Sequence, residues 1–419
     1  MSEEKKRIKV LTISDHPLSP SGVGTQTKYI IEGMLKTGKY QFVSFGGAIK
    51  HPNHSPQKTE EWGDDWVIWP VDGYGDPDRV RAMIHQQKPD ILYFMTDPRF
   101  YGWLWQIENE IRQHVPMVYY HVWDNYPYPK FNRPYYLSND HVACISKLTH
   151  DIVETVTPEI DSSYIPHAVD EDIFQPLPPE KIEAIKKERN LENKFVCFWN
   201  NRNARRKQSG TVIWWFKDFL DKVGHDKATL IMHTDVKDSH GQDLEAIIHE
   251  LGLTHGEVLF SRDKVSPQDL AMMYNMADVT INIADAEGFG LATLESLSSG
   301  TPILVTMTGG LQFQVTDGEE WFGIGLEPTS KAVIGSLSVP YIYEDRISRE
   351  DFIDALTKIY EMTPESRREM GLKGRAHTQR EFNFDDFIKR WDDLFMKIHN
   401  EHGSWEDRTG YTPYEVRTF

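Results

Sequence analysis

Cysteine is nearly absent: the 419 residues hold two, Cys144 and Cys197. They lie far apart, each in an apolar stretch, so a disulfide framework or a zinc-binding set of thiolates is excluded and two buried free thiols are expected. No apolar run reaches the roughly 18 residues that a membrane-crossing helix needs. An excess of positive charge is missing as well. Against 46 Lys and Arg stand 64 Asp and Glu, a formal net charge of −18. That argues against a globally basic nucleic-acid binder and against avid attachment to an anionic membrane, while leaving a local basic groove open. With 28 Gly and 23 Pro the chain is neither collagen-like nor of low complexity. Residues 1–9 are charged and lead straight into a strand-like run, unlike a signal peptide, so a cytoplasmic location is expected.

What is present is a 39% hydrophobic share, enough for real cores. At roughly 150 residues per domain the length suggests two large domains or three small ones. Short apolar runs at residues 8–14, 40–45, 66–71, 91–95, 117–121 and 141–145 read as strands. Helical patterns near 25–36, 78–87, 102–114 and 147–157 fall between them. That alternation indicates βαβ units and a parallel sheet. Pro176-Leu-Pro-Pro179 is a stiff break, after which the alternation resets. A charged helix at 180–189 precedes strands expected at 195–199, 228–233, 258–260, 279–283 and 302–305. Residues 351–400 read as almost wholly helical. The fold class is therefore α/β, with two doubly wound halves. The expected domains are 1–178, 179–385 and a helical segment 386–419 able to cross back to the first domain. Such sheets bind ligands at the carboxyl ends of their strands.

The most informative segment runs Asp285-Ala-Glu-Gly-Phe-Gly-Leu-Ala-Thr-Leu-Glu-Ser-Leu-Ser-Ser-Gly-Thr-Pro302. A strand ends in an acidic, Gly-containing turn, and a helix is expected from about Phe289. Gly288 and Gly290 let the backbone come close to a ligand. The first amides of the helix, near Phe289, Gly290 and Leu291, form an anion site. Read as one helix, Glu287 and Glu295 are about two turns apart on roughly one side. Further basic residues follow the first strand of the second half, in Arg202-Asn-Ala-Arg-Arg-Lys207. Fixed cations there would stabilise the charge that develops on a departing diphosphate. His51 and His54 have no supporting ligands at metal-binding spacing, so no metal site is expected.

These residues resemble a known family. Glu287 and Glu295, with Ser-Gly-Thr-Pro at the next strand, are similar to the donor-site signature of family-four retaining glycosyltransferases of GT-B fold. Tyr164-Ile-Pro-His-Ala-Val-Asp-Glu-Asp-Ile-Phe-Gln-Pro176 resembles the family's segment at the end of the N-terminal domain, with His167-Ala168 in place of the usual Asn-Gly. Arg202 and Lys207 stand where the family places an Arg and a Lys on the donor diphosphate. Two departures border the donor site. Phe313, after Gly309-Gly310, stands at a usually acidic position, and His233-Thr234 replaces a Gly-rich turn.

The resemblance implies a GT-B protein with two Rossmann-like domains, 1–178 on the acceptor side and 179–385 binding a nucleoside-diphosphate sugar. That sugar would be a substrate, and no cofactor is implied. Glu287, His121, Arg202 and Lys207 are the implied catalytic residues, His121 because it ends a strand where a family histidine meets the transferred sugar. Gly22, Gly24, Arg202, Lys207, Gly288, Phe289, Gly290, Leu291 and Glu295 would bind the donor. Asp124, Tyr126, Lys130 and Arg133, in an aromatic and Pro-rich stretch, are acceptor-side candidates. The acceptor stays open between a saccharide or small molecule and a hydroxylated base in DNA, as in some phage relatives. The alternatives are a nucleotide-sugar epimerase of the same two-domain fold and a binder without activity.

Overall fold

The computed structural model describes residues 7–412. Their contacts group them into two units. One comprises residues 7–123, 128–167 and 385–412, and the other residues 124–127 and 168–384.

The first unit is built on β1 (Ile8–Asp15), β2 (Tyr40–Gly47), β3 (Gln57–Lys58), β4 (Trp66–Pro70), β5 (Ile91–Met95), β6 (Met117–His121), β7 (His141–Cys144) and β8 (Ser162–Tyr164). The sheet order is β3-β4-β2-β1-β5-β6-β7-β8, parallel except for β3. Strands such as β1 and β5 are covered on both faces: seven of the eight residues of β1, all but Lys9, and all five of β5 are buried. The helix Gly22–Lys36 follows β1. Its cap is Ser21, whose hydroxyl accepts from Gly24 N at 3.0 Å.

A helix expected over 102–114 is instead two short ones, Gly102–Trp105 and Glu108–Arg112. A tight turn, Ile107 N to Leu104 O at 3.2 Å, divides them. It lets Trp105 stack on Tyr135 at 4.7 Å while Ile111 also faces the core. The long C-terminal helix Phe384–His402 belongs to this unit. Its Trp391 packs edge-on against Tyr93 (5.3 Å) and Tyr120 (4.8 Å), and Asp392 accepts from Tyr40 Oη at 2.7 Å.

The second unit carries β9 (Phe195–Asn200), β10 (Ala228–His233), β11 (Val258–Ser261), β12 (Val279–Asn282), β13 (Ile303–Thr306) and β14 (Gly323–Leu326). They form an all-parallel sheet in the order β11-β10-β9-β12-β13-β14. One core packs the helix Ser209–Val223 through Val212, Ile213, Phe216 and Phe219, and the helix Arg349–Glu361 through Phe352 and Leu356. The strand order reverses between β9 and β12, the switch point where loops diverge and leave a crevice. The sequence left two features of this unit unread: β14, whose two glycines weaken its strand pattern, and the antiparallel hairpin β15 (Ser330–Ser336) and β16 (Val339–Arg346).

Both cysteines are buried and unbonded. Among the described residues no helix is long and apolar enough to cross a membrane. Among the same residues no group of three or more His, Cys, Asp or Glu is placed to hold a metal ion.

Candidate active site

The carboxyl ends of β9 and β12 deliver two loops to the switch point of the second unit. After β9, Arg205–Lys207 form a short 3-10 turn. After β12, residues 283–290 lead to the helix Leu291–Ser298. Asp285 N donates to Arg206 O at 2.8 Å, so the loops are stitched together through their backbones.

Lys207 and Glu287 meet at this seam as a direct ion pair, each side chain 11% exposed. Asn282 Nδ2 donates to the same carboxylate at 3.3 Å. Burial alone would push the Glu287 carboxyl up. The ammonium of Lys207 and the guanidinium of Arg206 outweigh it and hold Glu287 below the usual carboxylate range. Burial draws Lys207 below its ordinary value, with Glu287 opposing. Arg206 also donates to Ala286 O and stands 4.0 Å from Asp124. Two cations and one ionised acid thus meet at the seam of the two loops.

The turn after Glu287 is shaped by glycine. Gly290 has φ +91° and sits against Leu311 and Thr293, so no side chain fits there. The strongest constraint comes from the pair Gly309-Gly310 after β13. A Cβ on Gly309 would lie 1.7 Å from the carbonyl oxygen of Glu287, and Gly310 N donates to that oxygen at 3.0 Å. Gln314 finishes the cradle by donating to Phe289 O at 2.8 Å. No side chain caps the start of the helix Leu291–Ser298, so its first amides make an anion-favouring end.

Glu295 lies inside that helix. Its carboxylate accepts from Tyr274 Oη at 2.7 Å, and Tyr274 in turn accepts from Asn200 Nδ2 at 2.8 Å. Burial raises Glu295 to about 7, with the Tyr274 bond opposing. The expected relation between the two glutamates needs correction. The helix begins at Leu291, so Glu287 precedes it, and helical periodicity does not relate Glu287 to Glu295. What places Glu287 is the Gly309-Gly310 contact and the Lys207 pair.

The other candidates are distributed as follows. Arg202 is largely exposed and is bound by Asp238 (2.6 and 3.1 Å) and His240 (2.8 Å). Gly288, Phe289 and Leu291 lie along the turn just described, Phe289 packed edge-on to Phe382 at 5.6 Å. Asp124 and Tyr126 group with the second unit, Tyr126 lending its carbonyl to Tyr343 N.

Gly22, Gly24, His121, Lys130 and Arg133 belong to the first unit. Gly22 opens the helix after β1. A Cβ on Gly24 would lie 2.7 Å from His16 O. His121 is fully buried, its Nε2 2.8 Å from Tyr136 Oη, and burial draws it down to about 3, so it is neutral near pH 7. Arg133 is engaged by Glu159 and by Val156 O at 2.6 Å. Lys130 opens a short 3-10 turn.

Reasoning from sequence alone missed Arg206, Asn282 and Gln314, while Tyr274 stood out only as part of Tyr274-x2-Ala-Asp278 ahead of the signature. Arg206 stood in view within the basic run. Asn282 and Gln314 carry no signal that separates them from ordinary polar residues.

Comparison with known proteins bears on the family and the fold. Residues 180–377 match the family model described as glycosyl transferases group 1. A D-inositol 3-phosphate glycosyltransferase of Corynebacterium urealyticum is 38% identical over 76 residues, 18% of each chain. One from Streptomyces scabiei is 26% identical over 172 residues, 41% of this chain and 33% of that one. The chain therefore matches no more than a third of the length of these two relatives. Among solved structures, sucrose-phosphate synthase from Thermosynechococcus elongatus superposes with a TM-score of 0.74 at 17% identity, covering 94% of this chain and 100% of that one. Anabaena HepE in complex with UDP and glucose gives 0.68 at 15% identity, covering 93% and 100%. These likenesses show the fold. The chain therefore has the GT-B fold, and its residues 180–377 match the glycosyl transferases group 1 family.

Proposed function

We propose that this chain moves a sugar from a nucleoside-diphosphate sugar to an acceptor hydroxyl with retention at the anomeric carbon. The observation that carries this reading is the buried Lys207–Glu287 pair at the switch point, beside Arg206 and the uncapped start of the helix Leu291–Ser298. Cations and aligned amides stabilise the charge that grows on a departing diphosphate. In this proposal Lys207, Arg202 and the amides near Phe289, Gly290 and Leu291 hold the diphosphate, with Arg206 added to them. Glu295 accepts the ribose hydroxyls. Glu287, ionised and fixed by Lys207, lies by the sugar ring and stabilises positive charge at C1. The C1–O bond to phosphate breaks and the bond to the acceptor oxygen forms on the same face. The acceptor proton goes to the leaving phosphate. The HepE complexes with UDP and UDP-glucose support a uridine nucleotide as the first donor to try.

His121, the candidate for the transferred sugar, is proposed to serve as a neutral group that holds Tyr136, and Asp124, Tyr126 and Lys130 stay separate acceptor-side candidates. Among the acceptor-side candidates Arg133 is paired with Glu159. That leaves little positive field for a DNA backbone, and it favours a saccharide or small-molecule acceptor over a DNA base. The test is a thermal-shift panel of nucleotide sugars followed by turnover with the best of them. Lys207→Ala should lower turnover on the order of 100-fold or more, the cost of one lost transition-state contact. Near-normal turnover in that variant would end the diphosphate assignment. A donor isomerised in the absence of any acceptor would replace transfer with epimerisation.

A further inference from the structure

The hairpin β15–β16 is joined to both loops of the proposed site by a closed ring of charges. Glu344, 2% exposed, takes two bonds from Arg205 (2.9 and 2.6 Å) and one from Arg346 (3.1 Å). Arg346 Nη1 also reaches Asp285 at 2.9 Å, and Arg205 closes the ring to Asp285 at 3.9 Å. Asp285, 3% exposed, accepts two further bonds from Gln208 Nε2 at 2.9 and 2.8 Å. Two arginines and two buried carboxylates therefore alternate in sign, and each acid has a cation on either side. The backbone runs parallel to the ring, with Asp345 N donating to Asp285 O at 2.9 Å.

The positions of these four residues give the ring its meaning. Arg205 lies two residues before Lys207, and Asp285 two residues before Glu287. The two loops are anchored to each other by Asp285 N to Arg206 O and to the turn after β13 by Gly310 N to Glu287 O, and the ring adds a tie from the hairpin side. The hairpin also reaches residues 124–127, through Tyr343 N to Tyr126 O (2.5 Å) and Asn125 Nδ2 to Tyr343 O (3.3 Å). Its tip does none of this: Leu337 is fully exposed.

We propose that the hairpin is a brace for the reaction centre, with Glu344 and Arg346 as positioning residues that set Lys207 and Glu287 through Arg205 and Asp285. This rests on the donor-site reading above for its catalytic consequence, though the bracing itself does not depend on any ligand. Without Arg346, two buried acids share a single half-exposed guanidinium, and the loop carrying Glu287 is left tied to the hairpin by Arg205 and the Asp345 N to Asp285 O bond.

The experiment is hydrogen–deuterium exchange on the full chain without ligand, comparing Arg346→Met, Arg346→Lys, Glu344→Gln and Leu337→Ser. Amides of residues 284–290 should exchange on the order of tenfold faster in Arg346→Met and in Glu344→Gln, with protection returning in Arg346→Lys and untouched in Leu337→Ser. UDP release from UDP-glucose is measured in parallel. Arg346→Met should lower kcat on the order of tenfold or more while KM moves less than about threefold, the pattern of misplaced groups rather than lost binding.

Unchanged protection of residues 284–290 in both Arg346→Met and Glu344→Gln overturns the brace. So does equal loss of protection throughout the second unit, which would mean general destabilisation. If Glu287→Gln retains full turnover, the donor-site reading fails and the exchange result still decides the brace.

Discussion

Breaking the Lys207–Glu287 pair from one side only should reveal how much charge the second unit has buried. Both side chains are 11% exposed. Lys207→Met keeps the volume and removes the cation, leaving Glu287 with Asn282 at 3.3 Å and the Arg206 charge as partial compensation. An uncompensated buried charge costs roughly 3–5 kcal/mol, and the remaining partners place this case at the low end, about 3 kcal/mol.

The pH dependence follows from the sign. In the parent chain Glu287 is held low, so its contribution to stability is present above the ordinary carboxylate pKa and fades as pH falls. In Lys207→Met burial dominates and lifts Glu287 above its ordinary value, so the folded state prefers the neutral acid. The stability deficit of Lys207→Met should therefore be small at pH 5 and largest at pH 8. Urea unfolding of the parent, Lys207→Met, Glu287→Gln and the double variant at both pH values measures this. The double variant should recover most of the loss, because neither charge is then stranded. A deficit equal at pH 5 and pH 8, or a double variant no more stable than Lys207→Met, would refute the argument.

Gly309→Ala should disable turnover while leaving the chain folded. Its Cβ would sit 1.7 Å from Glu287 O, at φ +51°. The left-handed conformation alone costs roughly 1–2 kcal/mol for a residue with a Cβ, and the overlap must displace the Glu287 turn. Full activity would sink the cradle. Glu295, raised to about 7 by burial, favours its neutral form in the fold. Stability contributed by that group is therefore complete below the ordinary carboxylate pKa and declines as pH rises through about 7, and Glu295→Gln should flatten the decline in thermal-melt profiles. Nucleotide binding should tighten over the same interval as the carboxylate ionises to accept hydroxyls, which calorimetry at pH 6 and pH 8 would show or deny. Trp391→Ala should destabilise the first unit by about 3–5 kcal/mol, since the ring is fully buried against Tyr93 and Tyr120. Urea unfolding with a far-ultraviolet signal reads the loss, and a change under 1 kcal/mol would contradict that packing.

The α/β reading came from periodicity that does not depend on context. Runs such as Ile8-Lys-Val-Leu-Thr-Ile-Ser-Asp15 and Phe195-Val-Cys-Phe-Trp-Asn200 are too short and too apolar for anything but buried strands between helices. The break inside 102–114 was not legible, because tertiary packing of Trp105 and Ile111 decided it. The hairpin was hidden for a different reason. Ser330–Ser336 is mostly exposed and its partner strand mixes Tyr with Glu, Asp and Arg, so no buried face imposes a period.

By itself the chain's order of residues determined which loops follow which strands, and so which end of the second sheet bears Arg202–Lys207 and Glu287. Local chemistry is enough for that, since strand, turn and helix starts are written within a few neighbouring positions. Only the tertiary structure decided that Lys207 rather than Arg202 meets Glu287, that Gly309 presses on the Glu287 carbonyl, and that Glu344 and Arg346 close a ring with Arg205 and Asp285. Those partners lie 22 to 139 positions apart in sequence or more than one element away, and no local rule ties such distant residues together. Burial does, by making each charge find its opposite or stay in water.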